Sequence, residues 1–345
     1  MKYTTLPHTN IKVSKICLGT MTWGNQNTQE EGFAQMDYAL DRGVNFFDTA
    51  ELYPVPATPE RYAHTEIIIG NWFKKTGNRD KVVLASKIVG PGAYTAHIRT
   101  NGFKPEALKE AVDNSLKRLQ TDYIDLYQLH WPERNTNYFG KRDYNHDTEN
   151  SWEDNFHEIL ETFDAIIKSG KIRHIGISNE KAWGAMRFIE EHKRFNLPRM
   201  ITIQNPYSLL NRTFEGDLAE IAIREGIGLL AYSPMAFGVL SGKYILGTDE
   251  KNARLNLFPR FSRYSGEQST AATKLYMELS QQHNMSLAQM ALAFVNSRPF
   301  LTSNIVGATN LLQLEENINS INMDLSEELL DQLNKIHSQF PNPAP

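Results

Sequence analysis

Apolar and polar positions follow two alternating patterns along the chain. Compact apolar runs stand at ICLGT (16–20), VNFFDTA (44–50), VVLASK (82–87), IDLYQLH (124–130), HIGIS (174–178), MITIQ (200–204), GLLAYS (228–233) and SNIVGA (303–308). Between them lie longer polar stretches in which apolar residues recur every three or four positions. In EALKEAVDNSLKRLQ, for example, Leu108, Val112, Leu116 and Leu119 share one face of a helix. TQEEGFAQMDYALDRG, AHTEIIIGNWFKKTG, NFHEILETFDAIIKSGK, KAWGAMRFIEEHKRF, RTFEGDLAEIAIREG and NLLQLEENINSI repeat the pattern, and several close on Gly soon after Lys or Arg, as helix C-termini prefer. Strands apolar on both faces, each followed by a helix, make a parallel sheet covered by helices. Eight such units in 345 residues predict an α/β fold, a closed (β/α)8 TIM barrel, with an open doubly wound sheet as the competitor.

The opening MKYTTLPHTNIKVSKICLG reads as a β-hairpin ahead of the first barrel strand, and TKLYMELSQQHN with LAQMALAFVNS as extra helices beside the barrel. No interdomain linker or low-complexity tract interrupts residues 1–345, so one domain is expected. Long connections at 88–104, 133–152 and 235–263 then fall on the face where the strands end, the usual place for binding loops.

Composition narrows the partner. Lys plus Arg is 36 and Asp plus Glu 40, a net charge of −4, which argues against nucleic-acid backbones and anionic membranes and for a small molecule. Cys17 is the one cysteine, so no internal disulfide forms, and a cytoplasmic protein is expected. No signal peptide or membrane-spanning run is visible, and a monomer or weak oligomer is anticipated.

The chemistry stands at the strand ends. Asp48, Lys87, His130, Ser178, Asn179, Gln204, Tyr232 and Ser233 terminate successive apolar runs, and in a parallel barrel those ends converge on one face. Tyr53 follows Asp48 closely in GVNFFDTAELYP, while Glu51 reads as a spacer. A lysine beside a tyrosine stabilises the phenolate and so acidifies the phenol. Lys87 in turn needs a counter-ion, which Asp48 supplies, and His130 can orient a substrate oxygen. Each of these residues alone has an ordinary reading as a cap, a rim residue or a solvated strand end. Together they describe proton donation to an oxygen as a hydride arrives at carbon, which calls for a hydride carrier. GIGLLA at Gly226 precedes an apolar run and so fails as a dinucleotide fingerprint. The ten histidines show no metal-ligand spacing.

DTAELY, ASK, LYQLHWP, LGTMTWG, GISN, QNPYSLLNR, AYSP, LSGKY and VGATNLLQLEEN together resemble the aldo-keto reductases over nearly the whole chain, and within them the Tas-type bacterial enzymes most. The resemblance implies NADPH/NADP+ as cofactor and a small-molecule carbonyl compound as substrate. It implies Tyr53 as proton donor, Asp48 and Lys87 as the pair that lowers its pKa, and His130 as the orienting residue. It further implies that Thr20, Met21, Gln26 and Asp48 contact the cofactor, with Ser178, Asn179 and Gln204 at the carboxamide and Tyr232 stacked on the nicotinamide ring. Ser233, Pro234, Met235, Leu240, Gly242 and Lys243 would hold the pyrophosphate, and Arg254, Gly307, Thr309, Gln313, Glu316 and Asn317 the adenosine end. Trp23, Trp131 and Tyr207 are expected to wall the substrate pocket. Distant likeness to potassium-channel β subunits leaves a cofactor-binding regulatory subunit as an alternative, and an alcohol or sugar dehydrogenase working in the oxidative direction as another.

Overall fold

The computed structural model describes residues 1–146, 149, 152–248, 251–259 and 261–345. Residues 147, 148, 150 and 151 of the expected 133–152 loop, and 249, 250 and 260 of the 235–263 loop, lie outside the described residues.

Strands β1 (Tyr3–Thr5) and β2 (Lys12–Ser14) pair antiparallel as the expected hairpin. β3 (Ile16–Gly19), β4 (Phe46–Asp48), β5 (Val83–Ile88), β6 (Ile124–Leu129), β7 (Ile172–Ser178), β8 (Met200–Pro206), β9 (Gly228–Tyr232) and β10 (Leu301–Val306) follow. They pair in parallel in chain order, and β10 returns to β3, so the sheet closes and the open-sheet competitor is excluded. All eight apolar runs became barrel strands. The helices are α1 (Gln29–Asp41), α2 (His64–Thr76), α3 (Pro105–Leu119), α4 (Phe156–Lys168), α5 (Ala182–Phe195), α6 (Leu218–Glu225), α7 (Lys243–Leu246), α8 (Arg254–Leu257), α9 (Glu267–Gln282), α10 (Leu287–Asn296), α11 (Leu311–Asn319) and α12 (Glu327–Gln339).

One helix has a different role from the one its sequence suggested. α10 is buried along nearly its whole length and packs on β10, so it belongs to the ring around the barrel. The outer pair is α9 with α12, a helix that the periodicity reading had not singled out.

Alternation along the strands explains the layers. Leu6 and Val13 of the hairpin pack with Cys17, Phe46, Ala85, Leu126, Ile201, Leu230 and Ile305, closing the barrel's amino-terminal end with an apolar plug. Side chains two residues further along β4, β5 and β6 face the same interior. They are Asp48, Lys87 and Gln128, each buried, so a polar layer sits directly above the plug. The alternate residues Phe47, Leu84, Tyr127 and Leu129 face outward into the core beneath the helices.

Candidate active site

The polar layer is organised around one ion pair. Lys87 Nζ donates to Asp48 Oδ2 at 2.7 Å, to the Thr49 carbonyl at 2.7 Å and to the Tyr53 hydroxyl at 3.4 Å. Lys87 is 0% and Asp48 1% exposed, so solvent does not screen the pair. Asp48 Oδ1 accepts from Gln204 Nε2 at 2.8 Å and Gln128 Nε2 at 3.3 Å. The Tyr53 ring meets His130 edge-on, with centroids 5.8 Å apart. Asn179 Nδ2 donates to the His130 carbonyl at 2.9 Å, and the Tyr232 hydroxyl donates to Asn179 Oδ1 at 2.6 Å. Ser178 Oγ donates to the Gln204 carbonyl at 2.7 Å. The strand-end residues from Asp48 round to Tyr232 therefore form one connected array.

Burial decides the protonation states. Burial opposes the Lys87 charge, but Asp48 and Tyr53 outweigh it and hold the ammonium above its usual range. Tyr53 differs from expectation in net direction. Burial raises its pKa more than Lys87 lowers it, so the phenol stays protonated through neutral pH. Burial, aided by the Lys87 charge, holds His130 well below the usual imidazole range, so its ring is neutral. The arrangement is a proton-bearing phenol beside a fixed ammonium and a neutral imidazole, suited to protonating a nascent alkoxide.

The aldo/keto reductase family model matches residues 15–338. The chain belongs to the aldo/keto reductase family. Protein tas of Escherichia coli is 47% identical over the full length of both chains. Uncharacterized oxidoreductase YrpG of Bacillus subtilis is 34% identical, covering all of this chain and 97% of its own. Norsolorinic acid reductase B of Dothistroma septosporum is 26% identical, covering 95% of this chain and 79% of its own.

In this aldo/keto reductase the residues expected at the cofactor occupy several settings. The Thr20 hydroxyl donates to the Asp48 carbonyl at 2.9 Å, and Met21 packs in the apolar cluster around Tyr53. Gln26 Nε2 reaches the Asn252 carbonyl at 3.3 Å, tying the first loop to the 251–256 segment. Ser233, at φ 53°, leads through Pro234 and Met235 into a 3-10 turn holding buried Leu240, and Gly242, at φ 80°, precedes Lys243 at the start of α7. Gly307 follows β10. Gln313 Oε1 accepts from both Thr309 N and Oγ1 at 3.0 Å, Asn317 donates to the Gly307 carbonyl at 3.2 Å, and Glu316 accepts from Ser286 Oγ at 2.6 Å.

Arg254, expected at the adenosine end, packs on an aromatic ring. Its guanidinium lies over the Phe237 ring at 5.1 Å and near enough to Tyr53 to act on the phenol's ionisation. Burial pushes it down to about 10, and no carboxylate stands against it among the described residues. A desolvated cation over the site suits a phosphate-bearing ligand, so these residues fit a nicotinamide dinucleotide.

Two of the three expected pocket aromatics lie elsewhere. Trp23 is fully buried in the helix layer, against Gly32, with Nε1 donating to Gln35 at 3.3 Å. Tyr207 is also fully buried, stacked on Phe294 at 5.9 Å with its hydroxyl on the Glu215 carboxylate. Both follow strand-end loops, but their chains turn them back under the helices. Trp131 does lie at the mouth, 5.0 Å from the His130 ring, with Nε1 on the Pro91 carbonyl at 3.0 Å. Val55, Tyr62, Ile98 and Tyr138 pack on its cluster, and Phe139 meets it edge-on at 5.7 Å.

Glu51 is not a spacer. It is 2% exposed, and its carboxylate accepts from Arg99 Nη2 at 2.8 Å and Val89 N at 3.1 Å. Two other buried or half-buried carboxylates bridge loops in the same way. Glu133 accepts from Phe103 N at 2.7 Å and Asn155 Nδ2 at 2.6 Å, and Glu180 binds Arg134 through both oxygens. Sequence reading also missed Gln128. Its signal was present: a polar residue inside an apolar strand, two before His130 and therefore on the same face.

Proposed function

We propose that this chain reduces aldehydes or ketones to alcohols, using NADPH as hydride donor and Tyr53 as proton donor. The observation that carries the reading is the buried Lys87 ammonium, 2.7 Å from Asp48 and 3.4 Å from a protonated Tyr53. When bound, the dinucleotide supplies the hydride. Tyr53 passes its proton to the carbonyl oxygen, and Lys87 stabilises the phenolate left behind. Asp48 keeps Lys87 charged where water cannot. Neutral His130 orients the carbonyl, and the Ser178, Asn179 and Gln204 array with the Tyr232 ring holds the nicotinamide. Lys243 and Arg254 answer the phosphates, which supports NADPH over NADH.

The mouth supports a planar, apolar substrate. Trp131, Tyr62, Tyr138 and Phe139 offer aromatic surface around Tyr53, and a relative of this chain is named a norsolorinic acid reductase. The test is NADPH oxidation against aromatic aldehydes, diketones, quinones and sugars, with NADH in parallel. Tyr53→Phe should lose at least about 100-fold in kcat while NADPH still binds. Near-normal turnover by that variant would refute the assignment.

A further inference from the structure

We propose that Glu51 is a positioning residue for Tyr53: its side chain completes the β4–β5 ladder where the backbone leaves it, and so fixes the turn that returns the phenol over Lys87. This rests on the carbonyl-reduction reading above. β4 pairs with β5 through Asp48 and Ala85, and the bonding continues past the strand. Thr49 N donates to the Ala85 carbonyl at 2.9 Å, and Glu51 N to the Lys87 carbonyl at 3.1 Å. In a continued parallel ladder the next donor, Val89 N just past β5, meets a main-chain carbonyl. Here the chain turns away instead, Tyr53 N closing on the Ala50 carbonyl at 3.0 Å, and Glu51 Oε2 takes the vacated acceptor's place at 3.1 Å.

Arg99 holds that carboxylate in position from the far side. It is buried, donates to Glu51 Oε1 at 2.8 Å, and sits on the 88–104 loop with Ile98, which packs in the Tyr53 cluster. Its second acidic neighbour, Glu110 at 3.6 Å, is largely exposed. One carboxylate thus joins the segment carrying the proton donor to the strand carrying Lys87 and to a loop at the mouth. It touches neither Lys87 nor Tyr53, so its effect runs through geometry. A displacement of the phenol by about 1 Å is enough to cost on the order of 100-fold in rate.

The experiment compares Glu51→Gln, Arg99→Met, the double variant and Tyr53→Phe in the full-length protein. Rates are normalised to the concentration of NADPH-binding sites found by fluorescence titration. Glu51→Gln keeps the side-chain length and one acceptor, and Arg99 keeps Glu110. Expected for Glu51→Gln is a kcat about 10- to 100-fold lower, with carbonyl KM and NADPH Kd within about threefold of the parent. Arg99→Met should fall in the same direction, and the double variant should be no worse than Glu51→Gln alone, because the two act as a unit. A normalised kcat for Glu51→Gln within about twofold of the parent, while Tyr53→Phe is inactive, overturns the positioning role. A loss accounted for wholly by fewer NADPH-binding sites overturns it equally. An active Tyr53→Phe would instead overturn the reduction reading.

Discussion

Asp48→Asn should make the protein less stable at neutral pH and invert one part of its pH dependence. Asp48 accepts from three donors, namely Lys87 Nζ at 2.7 Å, Gln204 Nε2 at 2.8 Å and Gln128 Nε2 at 3.3 Å. An amide in its place sets its own N–H groups either against Lys87 or against both glutamines. The Coulomb attraction across 2.7 Å is about 6 kcal/mol at an effective dielectric of about 20. Part of that only offsets the burial of Lys87, and removing one partner of a buried pair typically costs about 3–5 kcal/mol. The sign against pH follows from Lys87. With Asp48 in place its pKa is raised, so its contribution is full below the unfolded value and fades only as pH climbs through the folded one. Without Asp48, burial is the largest remaining influence and acts downward, so the folded state binds fewer protons than the unfolded chain. Stability of the variant therefore rises with pH up to the unfolded lysine value of about 10.4. Urea unfolding of both proteins at pH 7 and pH 9 reads this as a gap that narrows at the higher pH. A gap below about 1 kcal/mol at pH 7, or one that is constant with pH, would refute the buried-pair account.

Two further expectations concern rate and recognition. The kcat/KM for reduction should be flat from about pH 6 to 8.5, because His130 is already neutral and Tyr53 still protonated there; it should fall only at alkaline pH. An inflection near neutrality would point to a different proton donor. At Gly90 a Cβ atom would come within 2.3 Å of Trp131 Nε1, so Gly90→Ala must displace Trp131 from the Pro91 carbonyl. Overpacking of this kind costs about 1–3 kcal/mol, and KM for aromatic carbonyls should rise more than KM for a small aliphatic aldehyde, which steady-state kinetics will show.

The barrel was legible because its signal is redundant. Each strand announces itself in an apolar run and again in the helical period that follows, and the β10–β3 pairing then decides for the closed sheet. The strand-end residues were legible for the same reason, since topology alone brings Asp48, Lys87 and His130 to one face. What escaped depends on chain direction after the strands end. Trp23 and Tyr207 lie in loops whose backbones turn their rings inward, and nothing in their local sequence encodes that turn. Arg99 lies 48 positions from Glu51, and sequence shows no pattern linking two charges across two loops. The net rise in the Tyr53 pKa escaped too, because burial is a property of the packed site and not of the Lys–Tyr pairing.

The bridging carboxylates Glu51, Glu133 and Glu180 have a consequence for how a member of this family changes its substrate. Each binds a group on a neighbouring loop round the mouth: Glu51 takes Val89 and Arg99 of the next one, while Glu133 takes Phe103 and Glu180 takes Arg134, each of the preceding one. A grafted loop that lacks its neighbour's partner leaves a carboxylate or guanidinium unanswered in a buried setting. The loops from residue 49 to residue 181 are therefore inherited as a set, and redesign for a new substrate will succeed more often by exchanging them together than one at a time.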